Sequence, residues 1–411
     1  MHAWAAVAAL CMYPAAAEYD AHDVAPAATL LLPYFEVGLD EASESINTVF
    51  TVRNVAPAAI LAHVMLFTDY SVGTLGFDLY LTGFAAQTID LGALFRGLQT
   101  ASTFGAFGVL DLARDTPVEN PPPPPTGGVF DDGFETGTLE RWTAVQSRVT
   151  EADLAAYHTG GTSGRTGLCA GVDHGDNIAR GYVLIDVTNV LAGDVFPETE
   201  GYFDYDGTGI ASNNNLLWGE FEIRHPDENY AIADSMVHIE ARNNKRGATR
   251  GQIPTFYSRY VNENERDQRE PLHGSWGARY LSGGALTGDT ALLYWRDPEQ
   301  VQLAFSCAQP PSWAPLATST VIAFDEDANP VELDNEFAFP YACGRVEVGG
   351  DALPTPFDFG WLYADFSAVD TQGGNRNQAV VLGVSAVAGR FATGLSAVSF
   401  EAASEISLGS K

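Results

Sequence analysis

The acidic run Asp325–Glu336 spaces its side-chain oxygens as a calcium loop does. With Asp325 as position one, Asp327, Asn329 and Glu336 stand at three, five and twelve, the oxygen spacing that encloses a Ca²⁺ ion. Position six, where such loops turn on Gly, is Pro330, and proline holds φ near about −65°. The run therefore reads either as a calcium site or as an exposed acidic loop. A looser oxygen cluster comprises Asp204, Asp206, the asparagines from Asn213 to Asn215, and Glu220; a turn at Asp206-Gly207 accounts for it equally well.

Hydrolytic chemistry has fewer handles. The chain has 8 histidines, with no His-Glu-x-x-His and no His-x-x-x-His pair, so zinc-protease chemistry finds no ligand set. Gly-x-Ser-x-Gly is absent, which removes the nucleophile elbow of an α/β hydrolase. A glycosidase needs two carboxylates roughly 5–10 Å apart, and Asp358 with Asp365, or Glu220 with Glu222, are pairs of the right type. His63 and His238 fall within strand patterns and read as hydrogen-bonded core residues, whereas His158, His174, His225 and His273 fall in expected loops. Arg259, Arg266, Asp267, Arg269 and Glu270 read as a solvated loop of ion pairs. Trp218, Trp276, Trp295, Trp313 and Trp361 read either as a sugar-stacking platform or as core.

Strands must position these groups. Ile46–Asn54 alternates, with Ile46, Thr48, Phe50 and Val52 on one side and Asn47, Val49, Thr51 and Arg53 on the other. That period of two is what a sheet with one buried face requires. Ile60–Asp69 is apolar on both faces apart from His63, which predicts an interior strand. Phe77–Thr82 is the third of this group. Gly277–Leu281 and Thr290–Asp297 echo the scheme, placing Trp295 and Asp297 where Phe67 and Asp69 stand. Further strands are predicted at Thr29–Val37, with an edge or bulge at Pro33, and at Tyr182–Thr188, Leu217–Ile223, Met236–Ala241, Thr255–Val261, Thr318–Phe324, Phe357–Phe366, Gln378–Val387 and Phe391–Phe400. The one clear helix is Glu151–His158, capped by Thr150 and ended by Gly160-Gly161.

Bulk composition narrows the function. With 53 acidic and 21 basic side chains, the net charge is −32, which repels nucleic acid and anionic lipid. Only Lys245 and Lys411 are lysines, so phosphate-loop and Schiff-base chemistry are unsupported. An apolar run at Ala3–Tyr13 followed by Ala15-Ala16-Ala17 fits an export signal with a small-x-small cleavage site. No later stretch reaches the ~18 apolar residues of a membrane span. In an exported chain cysteines pair by default; Cys307 and Cys343 are the expected pair, leaving Cys169 free or joined to another chain. Five consecutive prolines, Pro121–Pro125, mark a semi-rigid extended spacer.

Val129–Trp142 resembles a short segment common in exported bacterial proteins. The segments Ala25–Val37, Ile185–Asn189, Leu217–Glu220, Val237–Ala241, Phe256–Tyr260 and Asp358–Trp361 resemble a group of exported bacterial proteins without an assigned activity. That resemblance implies export and a β fold, and nothing catalytic.

The expectation is an all-β chain of two or more antiparallel β-sandwich modules with minimal helix. Residues 1–17 are a signal peptide, 25–115 a first module, 116–150 a Pro/Gly-rich linker or insertion, and 151–411 a larger β-sandwich region. The expected function is a non-enzymatic, secreted or cell-surface structural or adhesive protein. The alternative is a secreted glycan-binding or glycan-cleaving protein, with or without calcium as its cofactor. Partners are a protein or a glycan, with no nucleic acid.

Overall fold

The computed structural model describes residues 25–40, 46–97, 149–204, 207–226, 230–241, 255–257, 259–261, 267–272, 275–284, 288–297, 306–309, 320–333, 339–365, 378–388 and 393–399. The expected signal peptide, Pro121–Pro125, Val129–Trp142, Asp206, Arg266, His273, Trp313 and Glu336 lie outside these residues.

The chain is all-β. Its strands are β1 Thr29–Gly38, β2 Asn47–Asn54, β3 Ile60–Thr68, β4 Gly73–Leu81, β5 Ala86–Asp90, β6 Ile178–Thr188, β7 Leu217–His225, β8 Tyr230–Ser235 and β9 Val237–Ile239. They continue with β10 Ser275–Gly283, β11 Gly288–Arg296, β12 Thr320–Phe324, β13 Pro330–Glu332, β14 Cys343–Glu347, β15 Phe359–Asp365, β16 Ala379–Ala388 and β17 Thr393–Ser399. Two short helices, α1 Leu91–Phe95 and α2 Glu151–Tyr157, complete the described elements. Pairing is antiparallel throughout, in three sheets ordered β4-β3-β6-β1-β9, β5-β2-β7-β8, and β13-β12-β15-β10-β11-β16-β17 with β14 also on β11.

Local pattern explains most of these elements. In β2 the residues Thr48, Phe50, Val52 and Asn54 are buried and their neighbours face outward, as the alternation predicts. β3 is buried along its whole length between β4 and β6, which its two-sided apolar sequence demands. Pro33 sits where the β1–β6 register shifts between Leu32 and Phe35, so its missing N–H falls at a bulge. In α2 the Asp153 N–H donates to the Thr150 hydroxyl at 3.2 Å and the Asp153 carboxylate accepts the Thr150 N–H at 3.2 Å, a full capping box.

Two expectations are corrected. Thr255–Val261 is not a strand: the Tyr260 N–H bonds back to the Tyr257 carbonyl at 2.8 Å and the segment turns, burying Phe256 and Tyr257. The disulfide joins Cys169 to Cys307, with Cα atoms 4.8 Å apart, and Cys343 is free and buried. Cys343 is committed to the sheet, because it opens β14 opposite Trp295. Cys307 lies on the exterior against the Gly160–Gly161 turn after α2.

The four- and five-stranded sheets face one another. The Glu36 N–H on β1 donates to the Thr48 hydroxyl on β2 at 3.1 Å, and that hydroxyl donates back to the Glu36 carbonyl at 2.8 Å. Gly219 on β7 lies so close to Met236 and Leu30 that a Cβ there would meet both within 2.8 Å. One apolar core runs from these sheets into the eight-stranded one. The echoed positions Phe67 and Trp295 pack on the same ring, Tyr182, at 4.9 and 6.0 Å between centroids.

Candidate functional site

The end of β1 and the start of β6 lie beside β14, and a cleft of about 580 Å³ opens there. Tyr34 and Glu36 come from β1, Arg180 from β6, and Tyr294 from β11. His174 arrives on the loop before β6, and Tyr341, Cys343, Arg345 and Glu347 on or beside β14. A cleft of this size suits one small-molecule or oligomer end.

Its floor is a closed polar cluster. One Glu36 carboxylate oxygen accepts the Tyr34 hydroxyl at 2.6 Å and Arg180 Nε at 3.3 Å. The other lies 3.0 Å from His225 Nε2. Burial alone would raise the Glu36 carboxyl. Hydrogen bonds from His225 and Tyr34, with the nearby positive charges, outweigh burial and hold it at about 2. Arg180 turns its two terminal nitrogens onto Asp176 at 3.0 and 2.6 Å. A buried carboxylate so satisfied is a fixed anchor rather than a proton carrier.

A second acid–imidazole pair stands at the rim. Asp69 Oδ2 faces His174 Nε2 at 3.0 Å, while Oδ1 accepts the Val172 N–H at 3.0 Å. Burial outweighs these bonds and raises the Asp69 carboxyl. The His174 ring is about one-third exposed, at 29%, and meets the Tyr341 ring edge-on at 6.0 Å. Tyr341 in turn meets Tyr70 at 5.8 Å. Burial also pushes the Cys343 thiol well up, so it is a protonated wall group and not a thiolate nucleophile.

The groups singled out from sequence lie elsewhere. Asp325 and Asn329 close the turn between β12 and β13: the Asp325 carboxylate accepts the Asn329 N–H and its side-chain amide, both at 2.8 Å. These bonds lower the Asp325 carboxyl. Asp327 is exposed beside them. Among the described residues no three His, Cys, Asp or Glu side chains group as a metal site. Asp204 accepts the Thr208 hydroxyl at 2.9 Å, Asn213 accepts Arg269 at 2.7 Å, and Glu220 pairs with Arg53 at 2.8 Å.

Asp358 and Asp365 flank opposite ends of β15, roughly 20 Å apart at the strand rise, too far for a glycosidase pair. Glu220 and Glu222 lie on an open sheet face, engaged by Arg53 and Arg224 respectively. Trp276 and Trp295 are core. Trp361 is exposed with Arg279 stacked at 4.8 Å, and Trp218 carries Arg53 at 5.3 Å.

The histidine and charge-patch expectations also shift. His63 is buried, as expected, between Asp78 and the Val195 carbonyl, each at 2.8 Å; His238 is half-buried and accepts the Gly219 N–H at 3.2 Å. His158 caps α2 and His225 ends β7, and both are buried. Asp267, Arg269 and Glu270 are buried rather than solvated. Arg269 Nε donates to Thr29 at 2.9 Å, Nη1 to Asn213 and the Asp267 carbonyl, and Nη2 to the Ser212 carbonyl. Asp186, beside it at 3.6 Å, accepts Tyr202 and Tyr257 hydroxyls at 2.8 and 2.9 Å. The patch is an internal staple.

Comparison with protein-family models, curated proteins and solved structures finds no match for this chain. The cleft residues that sequence reasoning missed, Glu36, Arg180 and Tyr341, form no local motif, and His174, expected in a loop and found there, joins them. Glu36 did leave a trace, since it is the one charge inside the apolar strand β1.

Proposed function

We propose that this chain is an exported, non-enzymatic binding protein whose cleft takes the end of a glycan. The observation that carries this reading is the tyrosine-lined cleft of about 580 Å³. Tyr341 offers ring surface, backed by the buried Tyr34 and Tyr294, and the rim groups Arg345, Glu347 and Asp351 offer donors and acceptors of both signs, which suits a neutral polyol. The cleft's strongest charges are already engaged with one another, which favours binding over conversion. The Cys169–Cys307 disulfide fits an oxidising, extracellular setting.

The test is a glycan screen read by thermal melting, in EDTA and then in excess calcium. One glycan class should raise the melting temperature of the wild type and leave Tyr341→Ala unmoved, because a ligand stabilises the state it binds. No shift with any class would remove the reading, and a shift only with calcium would add the metal to it.

A structural or adhesive role is the second reading, and one observation favours it. All three residues of β13 are exposed, and among the described residues β13 pairs on one side only, with β12. Such an edge offers unpaired backbone groups to another chain.

A further inference from the structure

The two facing sheets have a second end, opposite the cleft, and it is apolar. The end of β2 is paired with the start of β7, the start of β3 with the ends of β4 and β6, and the start of β5 with β2. The loops crossing there are residues 54–59, 82–85 and 189–193, with 210–216 beside them. None of these residues is charged. Val55, Phe84 and Val190 project from the three loops with 37%, 70% and 39% exposure. They are three of the five exposed large hydrophobic side chains among the described residues.

The tip is built rather than loose. The Phe84 N–H donates to the Ala56 carbonyl at 3.0 Å, and the Asn54 side-chain amide donates to the Ala58, Leu81 and Thr82 carbonyls at 2.7, 3.2 and 3.0 Å. Gly83 runs so close to the Pro57 carbonyl that a Cβ would fall 2.0 Å from its oxygen. Phe84 itself holds φ at 60°, a left-handed conformation that an aromatic residue adopts only where its surroundings impose it. The chain thus accepts strain while leaving in water the most exposed large aromatic among the described residues. Water is a poor resting place for that side chain.

We propose that this tip contacts lipid, entering the interface of a zwitterionic bilayer. Three side chains cannot supply the ~800 Å² per partner of a stable protein interface, since even a large aromatic contributes only about 150–250 Å². A bilayer interface asks for no shape complementarity, only for apolar groups without charge around them. Charge selects the headgroup. The described acids at the margin include Asp204, near Asn189 through the Gly207 and Gly209 carbonyls, Asp194, which follows Gly193, and Glu220, paired with Arg53 next to Asn54, and the chain carries −32 overall. Both repel an anionic surface.

Flotation of the full chain with phosphatidylcholine vesicles tests this. The wild type floats with phosphatidylcholine and less with phosphatidylglycerol, and Phe84→Asp lowers the floated fraction by about tenfold, the scale expected for withholding one aromatic side chain from an apolar phase. Phe84→Trp localises the contact: brominated phosphatidylcholine quenches its added emission beyond the wild-type background. Equal flotation of wild type and Phe84→Asp, no added quenching in Phe84→Trp, or self-association abolished by Phe84→Asp without flotation would each overturn the proposal.

Discussion

The His225 imidazole meets the Glu36 carboxylate at 3.0 Å and joins the end of β7 to β1, tying the four-stranded sheet to the five-stranded one. Glu36 is the most heavily engaged acid in the cleft, and its contacts set the acid limb of stability. Its folded carboxyl lies at about 2, against 4.5 ordinarily. A depressed carboxyl contributes stability above the ordinary value and loses it as pH falls toward the folded one. Unfolding free energy should therefore fall by about 3 kcal/mol between pH ~4.5 and ~2 through this group. Urea titrations across that range should show Glu36→Gln losing this slope; an unchanged acid limb in Glu36→Gln would assign it elsewhere.

Between pH ~4 and ~6.5 two buried groups oppose each other. Burial lowers His158 from 6.5 to about 4, and burial raises Asp267 from 3.8 to about 6. On acidification the unfolded chain protonates at position 158 first, so stability is lost; at position 267 the folded chain protonates first, so stability is gained. Each arm is about 3 kcal/mol, and the wild type should be nearly level. His158→Gln should become more stable as pH falls through this window and Asp267→Asn less stable. Parallel urea curves for the two variants would refute the compensation.

Asp186 and Arg269 are both fully buried, 3.6 Å apart. Arg269→Ala strands the Asp186 charge among Thr29, Tyr202 and Tyr257, and should cost about 3–5 kcal/mol of unfolding free energy. Tyr257→Phe removes one hydrogen bond to that charge and should cost about 1.5–3 kcal/mol. Equal losses for the two variants would mean that the charge is not what Arg269 supports.

The bridge Cys169–Cys307 closes 138 residues. Replacing both by Ala should lower unfolding free energy by about 2–5 kcal/mol. Cys343, buried in the cleft wall, should resist iodoacetamide in the native protein and react in denaturant. Native labelling at Cys343 would mean that the cleft opens more widely than its walls indicate.

Where one strand's own pattern decided its burial, the sequence was readable. β2 announced its inward face, β3 its interior place, and Thr150 the start of α2. Thr255–Val261 has strand composition but turns, because Tyr257 is drawn onto Asp186, a contact that no local pattern encodes. The same contact network makes a mixed-charge run look solvated: nothing near Arg269 in sequence shows that Thr29, Ser212 and Asn213 receive it. Cysteine pairing failed similarly, since proximity along the chain favoured Cys307 with Cys343 while sheet register held Cys343 away. The cleft was illegible because at least four separated segments assemble it.

β1 and β3 never pair with each other; β6 lies between them and bonds to both. During synthesis, N-terminus first, five strands therefore emerge before the one that can join two of them. Until residue 188 is available, the apolar edges of β1 and β3 have no partner from their own sheet on that side. Until then, of the described strands before β6, only the β3–β4 and β2–β5 pairs can form, so the sheets stay incomplete through more than a third of the chain's length. A ribosome stalled before β6 would leave a sticky fragment rather than a small finished domain.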